Sequence, residues 1–177
     1  TGDWAKVAFP GAVEKKKPRL ALYRSWQPSM DEGWTRFVLE QFGFEYTRLT
    51  NPMVLEGNLR AKFDVIVVPD QAPGGILNGY AANAMPAEFT GGVGTAGVQA
   101  LKAFAEQGGT LVFLNQSTAF ASSHLGVASK NVVQGVSSRD FYAPGSLLKV
   151  SLDASHPLAL GLPNELSIWM EQSPAWE

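Results

Sequence analysis

Residues 64–69 read DVIVVP, an unbroken β-branched run closed by a proline. A strand wetted on one face alternates apolar with polar side chains. A strand without alternation is covered on both faces, which happens chiefly in parallel sheets flanked by helices. Two more short runs have this character, LALY at 20–23 and TLVFL at 110–114. Between the runs the apolar spacing becomes helical. Trp34, Phe37, Val38 and Phe42 share a stripe, Ser29 and Glu32 form a capping box ahead of it, and Gly43 closes it. Residues 44–49 read as a second strand and 54–60 as a short helix. Residues 95–107 read as a helix with Leu101, Phe104 and Ala105 inward, ending at Gly108 and Gly109. Residues 117–125 suit another helix, and 147–152 and 166–170 suit later strands. Alternating strands and helices predict an α/β sandwich with a mainly parallel sheet, right-handed crossovers and helices on both faces.

Such sheets place ligands beyond the carboxyl ends of their strands, where the strand order reverses. Arg24, Trp26 and Gln27 follow the first strand, Asp70 and Gln71 follow residues 64–69, and Asn115 and Gln116 follow residues 110–114. These seven are the candidate ligand-binding residues. Arg24 suits a bidentate carboxylate partner, Trp26 an apolar or stacking face, and Gln27 and Gln71 orienting hydrogen bonds. Two plainer readings stay open. Arg24 would pair with Asp70 and tie two strand ends together, and Trp26 would plug the core beside the first helix. Residues 71–94 are too long for an idle connection. They are expected to lie over the crevice or to dock on another domain.

Composition narrows the chemistry. The 177 residues suit one domain, and 14 Lys+Arg against 16 Asp+Glu give a net charge of −2, which favours neither nucleic acid nor a membrane surface as partner. The absence of cysteine removes disulfides, thiolate metal sites and a cysteine nucleophile. No apolar stretch approaches the ~20 residues of a membrane span, and TGDWAKVAFPG does not read as a signal peptide. Residues 1–19, with Lys15, Lys16, Lys17, Pro18 and Arg19, read as a solvated arm from a preceding domain. The G-x-G-x-x-G at 92–97 lacks the strand a dinucleotide fingerprint needs, so its glycines are expected to end a loop. His124 and His156 stand alone, without the spacing of a zinc site. Ser117 follows a strand, as the nucleophile of an α/β hydrolase does. On one helix His124 would lie about 10 Å from it, too far for a ~3 Å nucleophile–base hydrogen bond, whereas His156 would have to reach it from another element. The competing reading makes Ser117 a helix N-cap.

Several stretches together resemble one bacterial group. These are LALYRSWQPSMDEGWTRFVLEQFGFEYTRLT, LRAKFDVIVVPDQ, ILNGYA, EFTGGVG and DFYAPGSLL. They are similar, over about residues 18–177, to the carboxy-terminal region of carboxypeptidase A-like zinc carboxypeptidases. The resemblance implies a class I glutamine amidotransferase-like, flavodoxin-related domain over residues 20–177. It also implies further strands beyond residue 177, and an extracytoplasmic location if the parent is secreted. Zinc is expected in a catalytic domain ahead of Thr1, and no cofactor in this chain. Active members of that fold place cysteine after the strand equivalent to 110–114, where this chain has Asn115-Gln116-Ser117. The implied function is a non-catalytic accessory domain of a zinc metallocarboxypeptidase, with a degenerate amidotransferase-like site. It would support the preceding peptidase domain, or bind a peptide or small ligand. The alternative is a free-standing α/β hydrolase using Ser117 with His156 or His124.

Overall fold

The apolar runs become strands of one parallel sheet. The computed structural model describes residues 17–177, and most of the expected arm, Lys15 and Lys16 included, lies outside them. β1 (Leu20–Arg24), β2 (Tyr46–Thr50), β3 (Val65–Val68) and β4 (Thr110–Phe113) pair in the order β2-β1-β3-β4, every pair parallel. This is a flavodoxin-like order, reversing between β1 and β3. The β1-to-β2 crossover runs opposite to the later ones, so right-handedness puts α1 (Met30–Gln41) on one face. α2 (Asn51–Leu55), α3 (Leu59–Lys62) and α5 (Gly94–Glu106) take the other.

The core lies on that second face. Ala21, Tyr23, Leu49, Ile66 and Val68 of the sheet meet Val54, Leu59, Val98, Leu101 and Phe104 of the helices. Leu101 and Phe104 point inward as expected. Ala105 does not: it is exposed, and Gly97 and Val98 complete the buried stripe. Tyr23 donates its hydroxyl to Asn51 Oδ1 at 2.7 Å, and Asn51 Nδ2 donates to the Gly91 carbonyl at 3.1 Å. Burial pushes the Tyr23 hydroxyl well above its ordinary pKa, so it remains a donor.

The α1 face is thinly covered. Leu22, Val67 and Val112 are in register across three strands. Leu22 is fully buried, Val67 half-buried and Val112 37% exposed. Residues 64–69 are therefore not covered equally on both faces, and β4 is an edge strand rather than a central one. Among the described residues no helix stands beside α1 over β3 and β4. The stripe on α1 is likewise open, with Trp34 61% and Phe42 70% exposed and Phe37 and Val38 also in solvent. The buried residue of α1 is Glu32. The capping box is half formed. Ser29 Oγ accepts from the Glu32 N–H at 3.2 Å, but the Glu32 carboxylate does not reach back. Gly43, at φ +70°, closes the helix as expected.

Other boundaries moved for local reasons. Gly57 and Asn58, both at positive φ, break the expected 54–60 helix into α2 and α3. Residues 117–125 form no single helix: a 3₁₀ turn (Asn115–Ser117) leads into α6 (Thr118–Phe120) and a π-helical turn (Ala121–Leu125). The late strands, β5 (Ser146–Ser151) and β6 (Glu165–Met170), pair with each other as an antiparallel hairpin separate from the parallel sheet. Among the described residues no helix is long and apolar enough to cross a membrane.

Arg19 is not part of a solvated linker. Its backbone N–H, Nε and Nη2 donate to the Asp64 carboxylate at 2.8, 3.0 and 2.9 Å, and Arg60 Nη1 adds a bond of 2.6 Å. The Arg19 side chain above all, with Arg60, holds the Asp64 carboxyl well below the usual carboxylate range. A carboxyl depressed in the folded state stabilises above its unfolded pKa of about 3.9, and that contribution fades as pH falls through the folded value. Asp64→Asn should therefore destabilise the chain near neutral pH and lose most of that difference by about pH 2. Urea unfolding of both proteins at the two pH values checks this.

Candidate functional site

The loop after β1 is stitched to the loop after β3. Ser25 is buried. Its Oγ donates to the Gln27 carbonyl at 2.8 Å and accepts from Gln71 Nε2 at 2.8 Å. Gln27 and Gln71 also meet over Gly75 of α4 (Pro73–Leu77). A Cβ there would lie 2.5 Å from Gln27 Oε1 and 2.9 Å from Gln71 Nε2, so only glycine lets both amides rest on that turn. Trp26 is half-buried and meets Phe89 edge-on, with ring centroids 5.3 Å apart at 86°. It is therefore no core plug. Residues 71–94 do cover this edge, and they are structured. α4, a 3₁₀ turn (Ala87–Phe89) and a Tyr80–Gly91 bridge shape them. Gly92 makes the close approach possible, because a Cβ there would lie 2.4 Å from the Ile76 carbonyl oxygen. Close packing accounts for Gly92 and, against Val93, for Gly97, whereas Gly94 stands in open space at φ +56° at the start of α5.

Asp70 points the other way. Its carboxylate accepts from Asn115 Nδ2 at 2.5 Å and from the Gln116 N–H at 3.1 Å, binding the end of β3 to the turn after β4. Its backbone carbonyl accepts from Ser29 Oγ at 2.9 Å. Arg24 is exposed and makes no ion pair with Asp70, so the expected strand-end tie is replaced by Asp70–Asn115. The seven candidates fall into two cavities rather than one crevice. Arg24, Trp26, Gln27 and Gln71 line a pocket of about 170 Å³ with Ser29 and Glu32. Asp70, Asn115 and Gln116 line a wider cavity of about 770 Å³ with Trp34, Trp169 and Trp176.

Asn115 follows β4 almost directly, at φ +48°, and its Oδ1 is buried without a hydrogen-bond partner. A left-handed residue between a strand and a helical turn has the shape of a nucleophile elbow. An amide at its tip supplies neither a nucleophile nor a base. Ser117, two residues on, is fully buried. Its Oγ donates to the Leu114 carbonyl at 2.7 Å, has the Val68 carbonyl at 3.1 Å, and accepts from the Leu114 N–H at 2.9 Å. The hydroxyl thus folds back on the strand end instead of capping the next turn. His124 packs against the Phe120 ring at 4.9 Å, and His156 Nδ1 accepts from the Leu158 N–H at 3.2 Å. Neither histidine bonds Ser117, so no nucleophile–base pair is assembled there. Among the described residues no group of three or more His, Cys, Asp or Glu side chains is placed to hold a metal ion.

Glu32 is the site residue that sequence reasoning missed. Its position three residues after Ser29 reads as a cap, but its side chain is buried along the smaller cavity with Oε1 lacking a hydrogen-bond partner. The one available signal was the strong Ser29 cap, which satisfies the helix start without Glu32.

No protein-family model matches the chain, and no curated protein matches it. Among solved structures it is similar to a provisionally assigned GMP synthase subunit protein from Thermoplasma acidophilum. The identity is 13%, over 92% of this chain and 68% of that one, with a TM-score of 0.53. A provisionally assigned ThuA-like protein from Bacteroides uniformis is 12% identical, over 95% of this chain and 64% of that one, with a TM-score of 0.49. At such identity the first likeness speaks for the fold alone: the chain has a class I glutamine amidotransferase-like, flavodoxin-like α/β fold.

Proposed function

We infer that the chain serves as a non-catalytic accessory domain of a zinc metallocarboxypeptidase. Its amidotransferase-like site keeps the elbow geometry and has lost the chemistry. The observation that carries this reading is Asn115. It occupies the left-handed position after β4 with its amide tied to Asp70, where an active amidotransferase-like domain would present a thiol. The carboxypeptidase parent rests on the sequence resemblance. The domain's work is then support of the peptidase domain, or binding of a peptide or small ligand at the strand-end edge.

Two measurements test this. Purified chain is expected to turn over no glutamine, ester or peptide, and the reading frame upstream of Thr1 is expected to encode a zinc carboxypeptidase domain. Turnover abolished by Asn115→Ala or Ser117→Ala would overturn the non-catalytic reading. An upstream frame without a peptidase domain would overturn the parent.

A further inference from the structure

Three tryptophans line the wider cavity, and none of them belongs to the hydrophobic core. Trp34 of α1 and Trp169 of β6 are each 61% exposed, and Trp176 is half-buried. Large aromatic rings left open along one concave surface mark a place where something else packs. Among the described residues the three rings do not stack on one another. Trp169 Nε1 donates to Glu171 Oε2 at 3.3 Å and Trp176 Nε1 to Thr118 Oγ1 at 2.9 Å. Their polar edges are therefore engaged, and their faces are what they offer. The charge around the rings is of one sign. Asp31, Asp70 and Glu171 line the cavity, and no lysine, arginine or histidine does. Among the described residues none of these three carboxylates joins an ion pair. Asp70 already accepts from Asn115 and Gln116, and Glu171 from Trp169. They act on a ligand chiefly through charge, not as acceptors for its N–H groups. At about 770 Å³ the space falls within the ~300–1,000 Å³ of small-molecule sites.

We propose that this cavity binds a free methylated ammonium cation, whose quaternary nitrogen carries no N–H group. The faces of Trp34, Trp169 and Trp176 attract such a cation through the ring quadrupole, and tryptophan does so best. Asp31, Asp70 and Glu171 add attraction at longer range, strengthened inside a concave, partly desolvated surface. A primary ammonium would need acceptors in place of its lost water, and Asp70 and Glu171 already have donors. The single sign of charge also selects against zwitterions. A carboxylate or phosphate beside the nitrogen is repelled by the three acids, which disfavours glycine betaine and a phosphocholine lipid headgroup and favours a plain cation such as choline. Asn115 beside the cavity supplies no nucleophile, so the cation is held and not transformed. The proposal rests on the reading of this strand-end edge as a retained binding site and deepens it by naming the ligand class.

The test is titration of the whole chain with choline, followed by calorimetry and tryptophan fluorescence. The comparison ligands are choline's neutral isostere, in which a tert-butyl group replaces the trimethylammonium, glycine betaine, and maltose as an uncharged stacking ligand. Choline binding is expected in the millimolar range or tighter, with each comparison ligand at least about tenfold weaker. Trp34→Ala and Trp169→Ala should each lower choline affinity by about tenfold or more, and Glu171→Gln by about threefold, with the circular dichroism spectrum of the fold unchanged. The chain should not pellet with phosphatidylcholine vesicles, which separates the free cation from the lipid headgroup. Absence of choline binding, equal binding of the neutral isostere or of glycine betaine, tighter binding of maltose, pelleting with the vesicles, or unchanged affinity in both folded tryptophan variants would overturn the proposal. None of these results touches the accessory-domain reading, which fails on turnover or on the upstream reading frame. Turnover by a chain that still binds choline would overturn that reading and leave this cavity standing.

Discussion

Phe104→Ala is expected to lower the unfolding free energy by about 3–5 kcal/mol. Phe104 is 1% exposed within the core beneath α5. Its ring also closes on the chain that follows: a Cβ at Gly109 would lie 2.4 Å from it. Truncation opens a cavity between two packed elements that a rigid sheet cannot collapse to fill. Against a total of about 5–15 kcal/mol for a domain, the loss is large enough to leave the variant partly unfolded at ambient temperature. Urea unfolding should show a lower midpoint with an unchanged slope. A loss under about 1 kcal/mol would contradict the packing described for α5.

The second large effect is expected at Gly79, and it should be local before it is global. Gly79 sits at φ +59°, and a Cβ there would stand 2.1 Å from the Gly91 carbonyl oxygen and 2.3 Å from its carbon. Backbone on both sides leaves no flexible side chain to give way. Gly79→Ala therefore combines a left-handed alanine with overpacking, together about 2–5 kcal/mol. The cheapest relief is to open the Tyr80–Gly91 bridge and lift Phe89 from Trp26. Limited proteolysis should then cut within residues 71–94 much faster than in the parent chain, while β1 and β3 keep their protection. Equal resistance and equal stability would show that the close approach is not maintained in solution.

The β-branched runs made the sheet legible, because apolar character on both sides of a strand belongs chiefly to parallel sheets between helices. Those runs could not tell how well each face is covered. Val67 and Val112 read alike in sequence and differ in exposure because α1 sits over β1 and, among the described residues, nothing comparable sits over β4. Periodicity likewise found the stripe of Trp34, Val38 and Phe42 without saying what it faces. Local chemistry was readable at Ser29 and Gly43, where cap and stop are set by neighbouring residues. It misled at Glu32, since a pattern that fits a capping box does not oblige the carboxylate to turn back. The strand ends were found from topology alone. Their division into two cavities depends on bonds between distant residues, Ser29 to Asp70 and Gln71 to Ser25, which no local pattern encodes. Asp70 pairs with Asn115 rather than Arg24, and Asn115 stands at positive φ, a backbone conformation that no pattern in the sequence announces.

Of the two inner strands of the sheet, β1 precedes every other described strand. On a ribosome β1 emerges before either neighbour, and its second partner begins at Val65, opposite Leu20. At about 5–20 residues per second, that separation leaves β1 unpaired on one side for ~2–9 s. During that wait α1 has already been made, with Trp34, Phe37 and Phe42 on a face that stays exposed even in the finished fold. The nascent chain therefore offers chaperones an apolar helix and a bare strand edge at the same time, well before the core beneath α5 can form.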